Sequence, residues 1–378
     1  MSGWFLWLLT VLGLALVFAA LVRQWTASFG AALRAGVPTA EAVPLTVLIP
    51  ARNEAERITP LLQDLASQRP VAPPEVIVVD DASEDGTLER ARSMAERWPV
   101  LRVIALQGTT GKKAALEAGM AAATHPVALF TDADVRCGPG RSDAFGRTWK
   151  ALAPDLLLGP VFLREAHGLW GRYQREEQAV LLGVAAGSAL SGTALLANGA
   201  NLAVRRALFT AMGGYAADRH WASGDDMFLL RRVQRAGGRV AFVADPAAAV
   251  VVEPAPGAGA WWRQRLRWAG KLRAYPAPAA MAFGLLSVGL PWALAFTTVR
   301  ALDLRVGGGL AWTWALLFMA WSAWLGAALG LVQVAKEAQG LRHRPLGSTL
   351  ALGWMAATAP VIALCALVLR PRWKGRRI

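Results

Sequence analysis

The sequence predicts an α/β fold: a doubly wound domain in the middle of the chain, with membrane helices at both ends. Three observations predict it. Between about residues 45 and 131, β-rich runs alternate with helical patterns. Four long stretches carry no charged residue: 1–22, 274–299, 306–335 and 345–369. Hydrophobic residues make up 55% of the 378, more than a soluble domain usually carries.

The N-terminal stretch, "GWFLWLLTVLGLALVFAALV", supplies the ~20 apolar residues needed to cross a bilayer core. Nothing basic precedes it and no small-residue cleavage site follows closely. It therefore reads as a retained transmembrane anchor, residues 1–25, rather than a signal peptide.

The alternating region follows: "LTVLIP" then "EAERITPLLQDLASQ"; "EVIVVDD" then "EDGTLERARSMAERW"; "VLRVIAL" then "GKKAALEAGMAAAT"; and "PVALFTD". Runs of Val, Ile and Leu without polar alternation suit parallel strands covered on both faces. In such sheets ligands bind beyond the carboxyl ends of the strands. The polar clusters fall there: Ala51-Arg52-Asn53-Glu54 after the first strand, Asp80-Asp81 after the second, and Asp132 with Asp134 after the fourth. A further apolar stretch, residues 179–200, is long enough to span but lies inside the same domain. A crossing there would split the domain across the membrane, so it is expected to be a surface-lying or core helix.

An isolated pair of carboxylates is most often solvated or paired with Lys or Arg. Two hard oxygen ligands at the mouth of a sheet also suit Mg²⁺ or Mn²⁺ holding a diphosphate, because these ions take one or two protein carboxylates and complete their shell with phosphate and water. Phosphoryl transfer would bring a Gly-rich phosphate loop of the GxxxxGK[ST] type, and none is present. The nearest segment is "GTTGKKAALEAG", where Lys112 or Lys113, near a helix start, can approach a phosphate.

The formal charge of +14 raises a nucleic-acid partner. The placement of the charges argues against one. Arg23, Arg34, Lys271, Arg273, Lys336, Arg342 and Arg344 flank the apolar stretches, where they anchor helices and attract anionic lipid. Residues 274–378 form a C-terminal membrane region of two to three spans: four crossings in all would put the basic tail "RPRWKGRRI" outside, against the positive-inside rule, and Pro276, Pro278, Pro291 and Pro360 mark the stretches in question. Cys137 and Cys365 indicate no disulfide framework, and His125, His167, His220 and His343 lack metal-ligand spacing.

Seven segments occur in a recognisable order: "VLIPARNEAERI", "EVIVVDDASEDGT", "GKKAALEAG", "ALFTDAD", "GANLAVRRALFTAMGGY", "SGDDMFLLRRVQRAG" and "QRLRW". Over roughly residues 45–270 the chain resembles the membrane-bound branch of family 2 glycosyltransferases, which has the GT-A fold and the D, D, D, (Q/R)xxRW pattern. That branch includes ceramide glucosyltransferases, bacterial carotenoid and other lipid glycosyltransferases, and processive polysaccharide synthases. The resemblance implies a cytoplasmic GT-A domain over 43–260 and an interfacial QxxRW helix over 261–273. It also implies roles. Asp81 reads the nucleotide base, with Asp80 supporting that strand end. Pro50, Ala51, Arg52 and Glu54 line the nucleotide, and Lys112 approaches its phosphates. Asp134 is the metal ligand, with Asp132 its ribose- or metal-side neighbour. Asp225 stands where the family usually has Glu, and Asp226 matches the catalytic base.

For Asp225 and Asp226 the bland reading is an acidic helix N-terminus after Ser223-Gly224. Gln264, Arg267 and Trp268 fall at i, i+3 and i+4, so on a helix they share a face. The Trp268 indole can bound the acceptor pocket or stack on a sugar, and Arg267 can meet the diphosphate. The alternative is a membrane-interface helix with Trp and Arg at the headgroups, the reading given to Trp261 and Trp262. Asn198, Gly199 and Asn201 resemble an acceptor-side loop, and a turn role serves them equally.

The function expected is inverting, metal-dependent transfer of a sugar from a UDP- or GDP-sugar to a lipid acceptor, by a multi-pass protein of the cell membrane. The alternative is a processive synthase of the hyaluronan or poly-N-acetylglucosamine type. A basic membrane scaffold without activity is the third reading, and the motif order speaks against it.

Overall fold

The computed structural model describes residues 2–221, 224–270, 277–305, 311–369, 372–373 and 376–377. Lys271, Arg273, Pro276, Ser223 and most of the basic tail lie outside them. Along the chain the elements are α1 (Ser2–Ala35), β1 (Thr46–Ala51), α2 (Ala55–Ser67), β2 (Glu75–Asp80), α3 (Thr87–Arg97), β3 (Leu101–Ala105), α4 (Lys112–Ala122) and β4 (Val127–Phe130). Then come β5 (Arg136–Cys137), α5 (Arg141–Leu152), β6 (Leu156–Leu158), β7 (Val161–Leu163), α6 (Gly168–Leu190), β8 (Leu202–Arg205) and α7 (Arg206–Ala211). The chain continues through α8 (Asp225–Arg235), β9 (Val240–Phe242), β10 (Val250–Val252), α9 (Ala258–Gly270), α10 (Pro278–Arg305), α11 (Ala311–Ala338) and α12 (Pro345–Val368).

A seven-stranded sheet in the order β3-β2-β1-β4-β8-β6-β9 forms the centre. The four strands read from the sequence are parallel. Successive residues point to opposite faces, so Leu48, Ile77, Val79 and Phe130 join one core with α4, α6 and α8. Val47, Ile49, Val76 and Val78 join the other with α2 and α5. The parallel pattern stops at β8, which is antiparallel to both β4 and β6. The second half of the domain has no regular strand–helix alternation: two short strands, β6 and β7, precede the long helix α6, and β8 then enters the sheet in the opposite sense. A small second sheet, β5-β10-β7, closes one side.

The anchor expected to end at residue 25 continues as one helix to Ala35. At ~1.5 Å per residue it is about 50 Å long, longer than the ~30 Å hydrocarbon core. Its distal part belongs to the α/β domain: Trp25 and Phe29 are buried, and Phe29 packs into the core that holds Ala179, Leu182 and Ala186 of α6. The stretch at 179–200 is thus a core helix up to Leu190, and its contacts need small residues. A Cβ on Gly187 would stand 2.5 Å from Cβ of Trp25.

Helices α1, α10, α11 and α12 are each long and apolar enough to cross a membrane. Pro291 and Pro360 lie inside α10 and α12 without ending them. An ionic cluster ties two of these helices to the domain: Glu176 of α6 pairs with Lys336 of α11 and accepts from the Ser348 hydroxyl of α12 at 2.8 Å.

Candidate active site

The loop after β1 and the end of β2 are stitched together by short polar side chains. Asn53, at φ 52°, donates its N–H to Ser83 Oγ at 3.0 Å and accepts from the Glu84 N–H at 3.0 Å. Asn tolerates this left-handed backbone because its short amide bonds locally. Ala82, which follows Asp81, also has φ 52°. This sharp exit leaves the buried Asp81 side chain at the strand end, where Oδ1 accepts the Gly111 N–H at 2.7 Å. Arg52 Nη1 donates to the Asp81 carbonyl at 3.1 Å and stands 3.9 Å from its carboxylate. Glu54 caps α2: its carbonyl accepts from Arg57 and Ile58, and its own N–H donates to Thr87 Oγ1 at 2.8 Å.

Lys112 opens α4 and joins two parts of the chain far apart in sequence. Its Nζ lies 2.7 Å from Asp132 Oδ1 and 2.9 Å from Asp225 Oδ2. Burial opposes its charge, but the two facing carboxylates prevail and hold its ammonium well above the ordinary lysine range. Asp132 is shifted upward by burial and by the nearby Asp134 and Asp225, against the pull of Lys112. Lys113, the other lysine read as able to approach a phosphate, does not face this cleft. It is buried, donates to the carbonyls of Asp218 and Trp221 at 2.8 and 3.0 Å, and rests 4.1 Å over the Phe228 ring.

Asp225 and Asp226 begin α8, and the two carboxylates are used differently. Asp225 is buried and engaged by Lys112. Asp226 is half-buried, accepting from its neighbour's N–H, Met227, at 2.8 Å on Oδ1 and from the Gly199 N–H at 3.3 Å on Oδ2. Of the loop expected on the acceptor side, Asn201 has a structural role. It accepts from Arg141 and donates to the carbonyls of Pro160 and Ala248. Arg141, absent from the sequence reading, is wholly buried, bonds Thr131 Oγ1 at 2.7 Å and is lowered to about 10 by burial. An arginine at a helix start gives no periodic signal that would have singled it out.

On α9, Trp261 is not at an exposed interface: it is buried, and its indole N–H donates to Glu177 Oε2 at 2.8 Å. Gln264, Arg267 and Trp268 do border the cleft, together with Arg263 and Arg265. Burial and the neighbouring Arg265 and Arg263 lower the Arg267 guanidinium from its usual range, which favours an anion in front of it.

The cleft has a volume of about 780 Å³. Pro50, Ala51, Arg52, Glu54, Asp81, Lys112, Asp132, Asp134, Asp225, Asp226, Gln264, Arg267 and Trp268 all line it. These thirteen side chains therefore meet at one place, whereas Asp80, Lys113, Asn201 and Trp261 do not line it. Among the described residues no three or more His, Cys, Asp or Glu form a metal cage. The donor set fits a hard ion that takes one or two carboxylates and finds its other ligands in diphosphate and water: Asp134 is 45% exposed at the cleft wall and Asp132 lies beside it.

Residues 46–212 match the Glycosyl transferase family 2 model, and residues 132–330, more than half of the chain, match Glycosyl transferase family group 2. The chain belongs to the family 2 glycosyltransferases. Its relatives include a dolichyl-phosphate beta-glucosyltransferase of Trichomonas vaginalis, 36% identical over 24% of this chain and 28% of the relative. Another is the dodecaprenyl-phosphate galacturonate synthase of Rhizobium johnstonii, 30% identical over 32% of this chain and 36% of the relative. These matches take in about a third of each relative's length. The mannosyltransferase PcManGT of Pyrobaculum calidifontis, solved in complex with GDP-Man and Mn²⁺, has the same fold across 91% of this chain and 99% of its own, with a TM-score of 0.52 and 22% identity. The fold of this family 2 chain is therefore GT-A.

Proposed function

We propose that this protein transfers a sugar, with inversion, from a nucleoside diphosphate donor to a membrane-associated lipid. The observation that carries the reading is the convergence of Asp81, Asp134 and Asp226 on one cleft whose wall is α9. That helix packs Trp261 and Leu266 against Ile362 and Ala366 of α12, an apolar helix long enough to cross a bilayer. A donor site beside such a helix suits a lipid acceptor, and two relatives are named for the lipids dolichyl phosphate and dodecaprenyl phosphate. Arg34, Arg342 and Arg344 flank the apolar helices, which favours a cytoplasmic catalytic domain.

Asp81 and Arg52 hold the nucleotide end of the donor, and Arg267 faces the diphosphate. Asp134, with Asp132, would hold Mg²⁺ or Mn²⁺, which when bound offsets negative charge on the leaving diphosphate. Asp226 is the base. Two backbone N–H groups fix its carboxylate, and it takes the proton where the acceptor is a lipid hydroxyl; a lipid phosphate attacks already ionised and has less need of a base. The acceptor oxygen bonds to the anomeric carbon on the face opposite the diphosphate, and the bond to the diphosphate oxygen breaks with its electron pair leaving on that oxygen. Asp225 is held by Lys112 and serves to keep that ammonium beside the phosphates.

The test is incubation of the purified protein in lipid nanodiscs with radiolabelled UDP- and GDP-sugars, Mn²⁺ or Mg²⁺, and a bacterial lipid extract. Label entering the organic phase supports the proposal. Label in a polymer would replace it with the synthase reading, and label in neither would overturn it.

A further inference from the structure

Two adjacent carboxylates on α6 grip different helices. Glu176 holds Lys336 and Ser348, fixing α6 to α11 and α12. Glu177, 5% exposed, faces α9. Its Oε1 accepts Arg265 Nε at 2.8 Å, its Oε2 accepts Arg265 Nη2, and the same Oε2 accepts the Trp261 indole N–H at 2.8 Å. A guanidinium bound in this two-pronged way has a fixed plane.

The fixed plane is then used. Arg265 lies 4.1 Å over the Trp268 ring, and its Nη1 donates to Gln264 Oε1 at 2.5 Å. Two of the three cleft residues read from the QxxRW pattern therefore take their orientation from an arginine at one of its unspecified positions. That arginine takes its own orientation from Glu177, more than eighty residues earlier.

We infer that Glu177 is a positioning residue: through Arg265 it sets the orientation of Trp268 and Gln264 in the cleft. The consequence for catalysis rests on the proposed transferase reading, whereas the orientation itself does not.

The experiment uses the full chain in nanodiscs, labelled with 5-fluorotryptophan. Its 17 tryptophans give one ¹⁹F resonance that Trp268→Phe removes, which identifies Trp268. Glu177→Gln is expected to shift or split that resonance, while Arg102→Gln, which breaks an exposed ion pair with Glu75, leaves it in place. Arg265→Lys keeps the charge but not the fork, so it should move the resonance less and in the same direction; it also stands in should Glu177→Gln not fold. Transfer by Glu177→Gln should fall about 10-fold or more in kcat, with donor KM changed less than about threefold. A resonance unmoved in both variants overturns the inference, and so does a moved resonance with transfer at the wild-type rate. A moved resonance in a protein whose wild type transfers no sugar sustains the positioning and sinks the proposed function.

Discussion

Gly199 donates its backbone N–H to Asp226 across 3.3 Å, joining the loop before β8 to the first turn of α8. The approach leaves no room for a side chain: a Cβ on Gly199 would stand 2.7 Å from Asp225 Oδ2 and 3.1 Å from Lys112 Nζ. Gly199 is not among the glycines with positive φ, so its backbone accepts alanine and the conflict is confined to the cleft. Gly199→Ala is expected to lower sugar transfer about 100-fold, the effect of displacing reacting groups by roughly an ångström. Circular dichroism and the melting midpoint should change little. Normal transfer by this variant would show that Asp225 and Lys112 can move without consequence.

Lys112 gives a prediction with a pH sign. Its folded pKa is raised, so its stabilisation is fully present below the unfolded lysine value of about 10.4 and is lost only as pH rises beyond that. Between pH 4 and 8 the wild type keeps this contribution. Lys112→Met leaves Asp132 and Asp225 facing one another without the cation, at a cost of about 3–5 kcal/mol for a broken buried pair. Folding then favours protonated carboxylates, so the variant should lose stability as pH rises above the ordinary Asp value of about 3.9. Melting midpoints across that range check the slope, and a variant that falls no more steeply than the wild type would refute it.

Asp134 and Asp226 should separate donor binding from chemistry. Asp134→Ala is expected to remove the gain that Mn²⁺ gives to UDP or GDP affinity in titration calorimetry, as EDTA does to the wild type. Asp226→Asn should bind the same nucleotide within about threefold and transfer at least about 100-fold more slowly, the scale of general-base catalysis. Full turnover in Asp226→Asn would remove it as the base.

The joint between the domain and the apolar helices is testable without a substrate. Lys336 is 4% exposed and pairs with Glu176. Lys336→Met should cost about 3–5 kcal/mol by leaving a buried carboxylate unpaired. The double variant Lys336→Met with Glu176→Gln should recover most of that in detergent melts. Equal loss in single and double variants would mean that the pair is not what holds α6.

The order of β1, β2, β3 and β4, their polar C-terminal ends and the apolar stretches were legible because each is a local property of consecutive residues. Strand propensity, hydrophobic run length and a carboxylate just past a strand need no distant partner. The same locality made Asp81, Asp132 and Asp134 visible, the resemblance to family 2 glycosyltransferases added Asp225 and Asp226, and all five line one cleft.

Only the tertiary structure decided which partner each side chain meets. Lys112 and Lys113 are neighbours in an identical helical setting, yet a turn of about 100° per residue sends one to the cleft and the other to the carbonyls of Asp218 and Trp221. Trp261 is buried where Glu177, from another helix, accepts its N–H, and β8 pairs antiparallel with β4 and β6. Such contacts join residues tens to hundreds of positions apart. A sequence records what each residue is able to bind, and the packed chain selects which of those bonds forms.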